Sequence, residues 1–167
     1  MTSERIGDLF DRYHHRLYCL ARRLSSDAEE ARDLVQEAFL RAARKPESLP
    51  PDNDRAEAWL VRVLVNLCRD RYRRLAVRRR PENVHNLAQP QPGSPESQAV
   101  ARASVQASLA KLKPSRRAVI VLRELEGLSV AEVAQLLGMN PGTVRWHHSN
   151  GRKELARRLQ TEIENRS

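Results

Sequence analysis

Nothing in the sequence approaches the roughly 18 uninterrupted apolar residues that cross a bilayer, so no membrane insertion is predicted. The stretch from Met1 to Leu9 carries charges where a secretory leader needs an apolar centre, and the expected compartment is the cytoplasm. Cysteine is scarce. Cys19 and Cys68 lack the CxxC spacing of a redox or zinc site, and in a reducing compartment both are expected as free thiols filling helix faces. There is no Gly-rich phosphate loop, no acidic cluster at metal-ligand spacing and no Ser/His/Asp set. No catalytic residue, cofactor or metal site is therefore predicted, and an enzyme acting on nucleic acid is set aside. Alternating strand patterns and internal repeats are missing too, which leaves an all-α chain.

What is present is charge and helical periodicity. Lys and Arg number 30 against 21 Asp and Glu, a formal net charge of +9 that attracts polyanions, and 40% hydrophobic residues suffice for packed cores in a chain of 167. Ile6, Leu9, Phe10, Tyr13, Leu17, Leu20 and Leu24 recur at three- and four-residue steps and predict a helix over Ser3 to Leu24. Asp27 with Glu30 three residues on is an N-capping pattern, and Ala31, Leu34, Val35, Ala38, Phe39 and Ala42 continue a second helix towards Pro46. A third runs from Arg55 to Arg80, with Trp59, Leu60, Val63, Leu64, Leu67 and Leu75 on its apolar side. These three helices can share one core.

From Pro81 to Ser97 five residues, Pro81, Pro90, Pro92, Gly93 and Pro95, interrupt a polar stretch and disfavour helix and central strand alike. The predicted architecture is two small helical domains, 1–80 and 98–167, joined by a flexible linker at 81–97. In the second domain, Gln98 to Leu112 and Ser115 to Glu126 read as helices broken at Pro114, with Gly127 as a stop. Ser129 and Glu132 form a capping box, Gly138 ends that helix, and Asn140-Pro141 opens the last one.

The stretch Ser129 to Leu155 has a helix-turn-helix arrangement: Ala134 at the close helix approach, Gly138 at the turn and Val144 as the inward anchor. A helix about 10 Å across enters the DNA major groove, and the turn sets its angle. Thr143, Arg145, Trp146, His147, Asn150 and Lys153 lie on the helix that would be offered to DNA. Arg69, Arg71, Arg73, Arg74, Arg78, Arg79 and Arg80 make the far end of the third helix basic, as phosphate tracking requires, whereas Trp59 among Leu and Val reads as core. Asp27, Glu29, Glu30, Asp33, Gln36 and Glu37 crowd the start of the second helix. Two readings stay open there: a surface for a protein partner, or acids favourably placed at a helix N-terminus.

Two ordered blocks carry a family likeness. One is Asp33-Leu34-Val35-Gln36-Glu37-Ala38-Phe39-Leu40-Arg41-Ala42 with Ala58-Trp59-Leu60, Asn66, Asp70 and Arg73-Arg74. The other is Leu112-Lys113-Pro114, Arg123 to Ser129, Glu132-Val133-Ala134 and Gly142-Thr143-Val144. Together they resemble the extracytoplasmic-function sigma factors of bacterial RNA polymerase over nearly the whole chain outside the linker. The resemblance implies a transcription initiation factor, not an enzyme. It places core-polymerase binding on Asp33, Gln36, Glu37 and Arg41, and proximal-promoter DNA on Arg62, Asn66, Arg69, Asp70, Arg73 and Arg74. Upstream-promoter DNA falls to Thr143, Arg145, Trp146, His147, Asn150, Arg152 and Lys153, and an anti-sigma factor joins core and promoter as an implied partner.

The chain departs from the family pattern at His147-His148-Ser149-Asn150-Gly151-Arg152, where more basic residues are usual, and lacks the usual tryptophan near Ala43. A glycine inside a helix costs about 1 kcal/mol, so the reading helix is expected to fray or shorten at Gly151. Adjacent histidines on a helix point in different directions, which argues against metal binding by His147 with His148 or His14 with His15. The competing function is a helix-turn-helix regulator that binds an operator without polymerase. Against it, the first half contains no recognisable ligand or phosphoacceptor domain.

Overall fold

The computed structural model describes residues 2–25, 27–78 and 97–167, and every element among them is helical. The chain divides into two compact units, Met1–Asn83 and Val84–Ser167. In the first, α1 (Thr2–Leu24), α2 (Ala28–Arg44) and α3 (Asn53–Arg78) pack mutually, with a 3-10 turn at Pro46–Ser48 leading from α2. The predicted linker lies outside the described residues except Ser97, which opens the next helix; Arg79 and Arg80 lie outside them too.

The core of this unit draws mainly on the predicted stripes, with Ile6, Leu24 and Val63 only half-buried and Val65 added. Leu9, Tyr13, Leu17 and Leu20 of α1 meet Leu34, Val35, Ala38 and Phe39 of α2 and Leu60, Leu64, Val65 and Leu67 of α3, all buried. Each fully buried leucine contributes about 1.5–3 kcal/mol. Phe10 lies at the stripe's edge and stays exposed, its ring edge-on to Phe39 with centroids 5.0 Å apart. Ion pairs tie the helices at their rims: Arg16 to Glu57 at 2.8 Å and Arg71 to Glu30 at 3.3 Å. Asp27 caps α2, its carboxylate accepting from the Glu30 N–H at 2.7 Å.

The second unit comprises α4 (Ser97–Ala110), α5 (Pro114–Ile120), α6 (Val130–Leu137) and α7 (Pro141–Arg166). Its core holds Leu109, Leu112, Val119, Ile120, Val121, Leu122, Val133, Leu137 and Val144. The helix expected from Ser115 to Glu126 changes character within that span. Val121–Leu125 forms a π-helical turn, with the Glu126 N–H reaching back five residues to the Val121 carbonyl at 3.1 Å. Gly127, at φ +68°, ends it.

The caps of the helix-turn-helix form as the sequence predicts. Ser129 and Glu132 bond reciprocally, Gly138 turns the chain at φ +62°, and Asn140 accepts from the Gly142 N–H at 2.8 Å. Helix α7 corrects one expectation. It passes through Gly151 without a break to Arg166, and Gly151 is buried. A Cβ at that position would lie 2.8 Å from Ile120 Cγ1, so the glycine permits α7 to cross α5 at close range.

Candidate nucleic-acid interface

Asn140 and Pro141 start α7 and Val144 pins its first turn into the core, which fixes the faces that the remaining residues present. Thr143, Arg145, Trp146, Arg152 and Lys153 are exposed. Ser149, absent from the sequence-predicted set, is exposed three residues from Trp146 and four from Arg145 and Lys153, on their side of the helix. Its signal was the same helical spacing. Asn150 is half-buried and donates to the Trp146 carbonyl at 2.9 Å, so part of its capacity is used within the helix.

The two histidines turn towards the body of the unit. His147 is half-buried with Nδ1 enclosed and unpartnered, and burial followed by the nearby Arg116 cation lowers its pKa. His148 Nε2 lies 2.7 Å from Glu124 Oε1, and Arg152 Nε lies 3.6 Å from the same oxygen. The hydrogen bond from His148 is the main reason that the Glu124 carboxyl titrates below its ordinary range. Sequence reasoning found neither Glu124 nor Arg116. The π-helical turn brings the first to α7, and Arg116 reaches over from α5, its guanidinium 5.2 Å from the centre of the Trp146 ring and 2.8 Å from Glu154.

On α3, Arg55, Trp59, Arg62, Asn66, Arg69 and Arg73 follow one another at steps of four and three and so share a side. Arg62 and Arg73 are exposed, Asn66 and Arg69 half-buried, and Trp59, expected in the core, is half-buried too, because it lies at the edge of the apolar stripe. Asp70 and Arg74, also exposed, flank them four residues apart. Burial and then the neighbouring Arg73 lower the pKa of Arg69, with Asp70 opposing. A guanidinium remains charged under such shifts, so this side is cationic with an indole at one end.

Helix α2 presents a different face. Glu29, Asp33, Gln36 and Arg41 are exposed, and Glu37 is half-buried, held by Arg41 at 3.4 Å and Arg44 at 3.6 Å. Leu40, missed by the sequence reading although it falls off the apolar stripe, is 41% exposed among them. Of the acids, Asp27 caps α2 and Glu30 pairs with α3, as acids at a helix N-terminus do, while Glu29 and Asp33 are exposed. Among the described residues no group of three or more His, Cys, Asp or Glu side chains is placed to hold a metal, and no helix is long and apolar enough to cross a membrane. Cys19 and Cys68 are both half-buried and form no disulfide.

Comparison with known proteins assigns both units. Sigma-70 region 2 matches residues 9–78 and sigma-70 region 4 matches residues 102–155. The chain is 35% identical over 153 residues to the ECF RNA polymerase sigma factor SigE of Mycolicibacterium smegmatis, covering 89% of this chain and 59% of that one. It is equally 35% identical to the ECF RNA polymerase sigma factor SigM of Mycobacterium tuberculosis, covering 90% of this chain and 75% of that one. Among solved structures, the sigma factor RpoE in complex with the anti-sigma factor NepR from Bartonella quintana is similar at a TM-score of 0.69 and 25% identity, covering 94% of this chain and 98% of that one.

Proposed function

The chain belongs to the extracytoplasmic-function sigma factors of RNA polymerase, and from that membership we propose which surfaces carry out initiation. The protein brings core polymerase to promoter DNA, a task of binding without a catalytic group of its own, performed in the cytoplasm. The observation that carries the assignment of surfaces is the contrast between two helices of one unit. Helix α2 offers acids around an exposed leucine, and α3 offers arginines in register with an indole.

Acidic side chains around an apolar centre suit a protein partner, where the apolar group supplies binding energy and the charges select the partner. Asp33, Gln36, Glu37 and Arg41, with Leu40 at their centre, are the core-polymerase surface. Arginines beside an aromatic face suit unpaired DNA, since cations hold phosphates and stacking on bases contributes about 1–3 kcal/mol each. Arg62, Asn66, Arg69, Asp70, Arg73 and Arg74 take the proximal promoter element, where binding of unstacked bases offsets the cost of opening the duplex. Thr143, Arg145, Trp146, Asn150, Arg152 and Lys153 take the upstream element, joined by Ser149; His147 supports them from the inner side of α7.

The domains are residues 1–80 and, with Ser97 now the first residue of α4, 97–167; residues 81–96 tether them so that each can reach its own promoter element. The similar RpoE structure contains an anti-sigma factor, and such a protein is a further partner here. The deciding experiment is transcription from a pool of promoter fragments by purified core polymerase, with and without this protein. Specific start sites that appear only in its presence are expected. If the protein binds DNA site-specifically but never core, it is an operator-binding regulator instead.

A further inference from the structure

Trp146 leaves 55% of its surface in solvent, on the helix assigned to DNA. The ring is nevertheless held. The Arg116 guanidinium lies over it at 5.2 Å from the centroid, and the His147 ring meets it edge-on with centroids 5.0 Å apart. Arg116 is anchored by Glu154 at 2.8 Å, and Glu154 by Arg158 at 3.0 Å, so the brace comes from α5 as well as from α7 itself. The residues one turn away, Gly142, Thr143, Ser149 and Asn150, are all short. None of them is long enough to cover the indole.

A recognition helix places the side chains of its N-terminal half against base edges in the major groove. Trp146 is the sixth residue of α7. Base edges there are mainly hydrogen-bond donors and acceptors, and their bulkiest apolar group is the C5-methyl of thymine, the natural counterpart of a rigid carbon surface. We infer that Trp146 reads a thymine methyl in the upstream promoter element, with Arg116 as the positioning residue that holds the indole in place. The inference rests on the assignment of α7 to upstream DNA.

The test uses holoenzyme assembled from core polymerase and the full chain, on promoter fragments in which each upstream thymine in turn is replaced by deoxyuridine, which removes only the methyl. At one or two positions the replacement should weaken wild-type binding about fourfold, the value of burying one methyl-sized group. Trp146→Ala should abolish that difference, Trp146→Phe should keep part of it, and Arg116→Lys, which cannot stack as a plane, should reduce it. Circular dichroism checks that each variant is folded. The inference is overturned if no thymine distinguishes wild type from Trp146→Ala, or if that variant loses affinity equally for every sequence, as a backbone contact would. Failure of the underlying assignment is distinct: scrambling the whole upstream element would then leave wild-type binding unchanged.

Discussion

Gly151 sits inside a 26-residue helix, where glycine costs about 1 kcal/mol against alanine. The contact with Ile120 reverses the usual advice. Gly151→Ala gains helix propensity but drives a methyl to 2.8 Å from Ile120 Cγ1, a methylene next to the β-branch of a buried side chain that cannot simply swing aside. Overpacking of that kind costs about 1–3 kcal/mol, so the substitution is expected to lower the melting temperature of the second unit. Ile120→Ala removes a core side chain and costs about 2–5 kcal/mol by itself, but combined with Gly151→Ala it should lose less than the sum of the two single variants, a coupling visible in a double-mutant cycle; a rise in melting temperature for Gly151→Ala alone would show that the approach is not tight. Leu40 makes the opposite kind of test, because its exposed surface supports no core. Leu40→Ala should leave thermal unfolding within about 0.5 kcal/mol of wild type. In a binding titration with core polymerase it should weaken affinity by about tenfold or more if it is the apolar centre of that surface.

At the scale of elements, the seam between α5, its π-helical turn and α7 combines carboxylates and a histidine whose titration is shifted. Glu154 is held below its ordinary range first by the hydrogen bond from Arg158 and further by Arg116, with burial opposing. A carboxyl with a lowered folded pKa adds stability above its unfolded value and loses it as pH falls through the folded value. His147, lowered by burial, acts in the same direction: its neutral form is the one accommodated, and acid below the ordinary histidine value favours the unfolded chain, which takes up the proton more readily. The second unit should therefore weaken in two stages on acidification, near and below neutrality through His147 and in the carboxylate range through Glu154. Melting temperature followed against pH should show both; Glu154→Gln should flatten the second stage and leave the first. Most of these elements were legible beforehand, since Ser129 with Glu132, Asn140 with Pro141, and Gly127 and Gly138 are local signals that act through their own turns. The π-helical turn was not. Its sequence, Val121 to Leu125, differs in no local respect from an ordinary helix; nothing in the spacing of its residues announces a carbonyl bonded five positions on.

For the molecule as a whole, the net charge of +9 predicts DNA binding that weakens steeply with salt. If Arg62 and Arg73 each neutralise one phosphate of unpaired DNA, replacing either by Gln should lower the slope of log affinity against log salt by about 0.7, and both together by twice that. An unchanged slope would remove α3 from the DNA surface. The sequence alone determined the all-helical class, the core stripes of the first unit, the caps of the second and the charge of each helix, because periodicity and capping are properties of neighbours along the chain. It could not decide which face of a charged helix is left open, since that depends on what packs against the other side. Only the tertiary structure turned His147 and His148 inward, left Leu40 and Trp146 in solvent, brought Arg116 and Glu124 to α7 and made Gly151 a crossing point in place of a weak spot. Each of these contacts joins residues far apart in sequence, and short-range spacing carries no information about them.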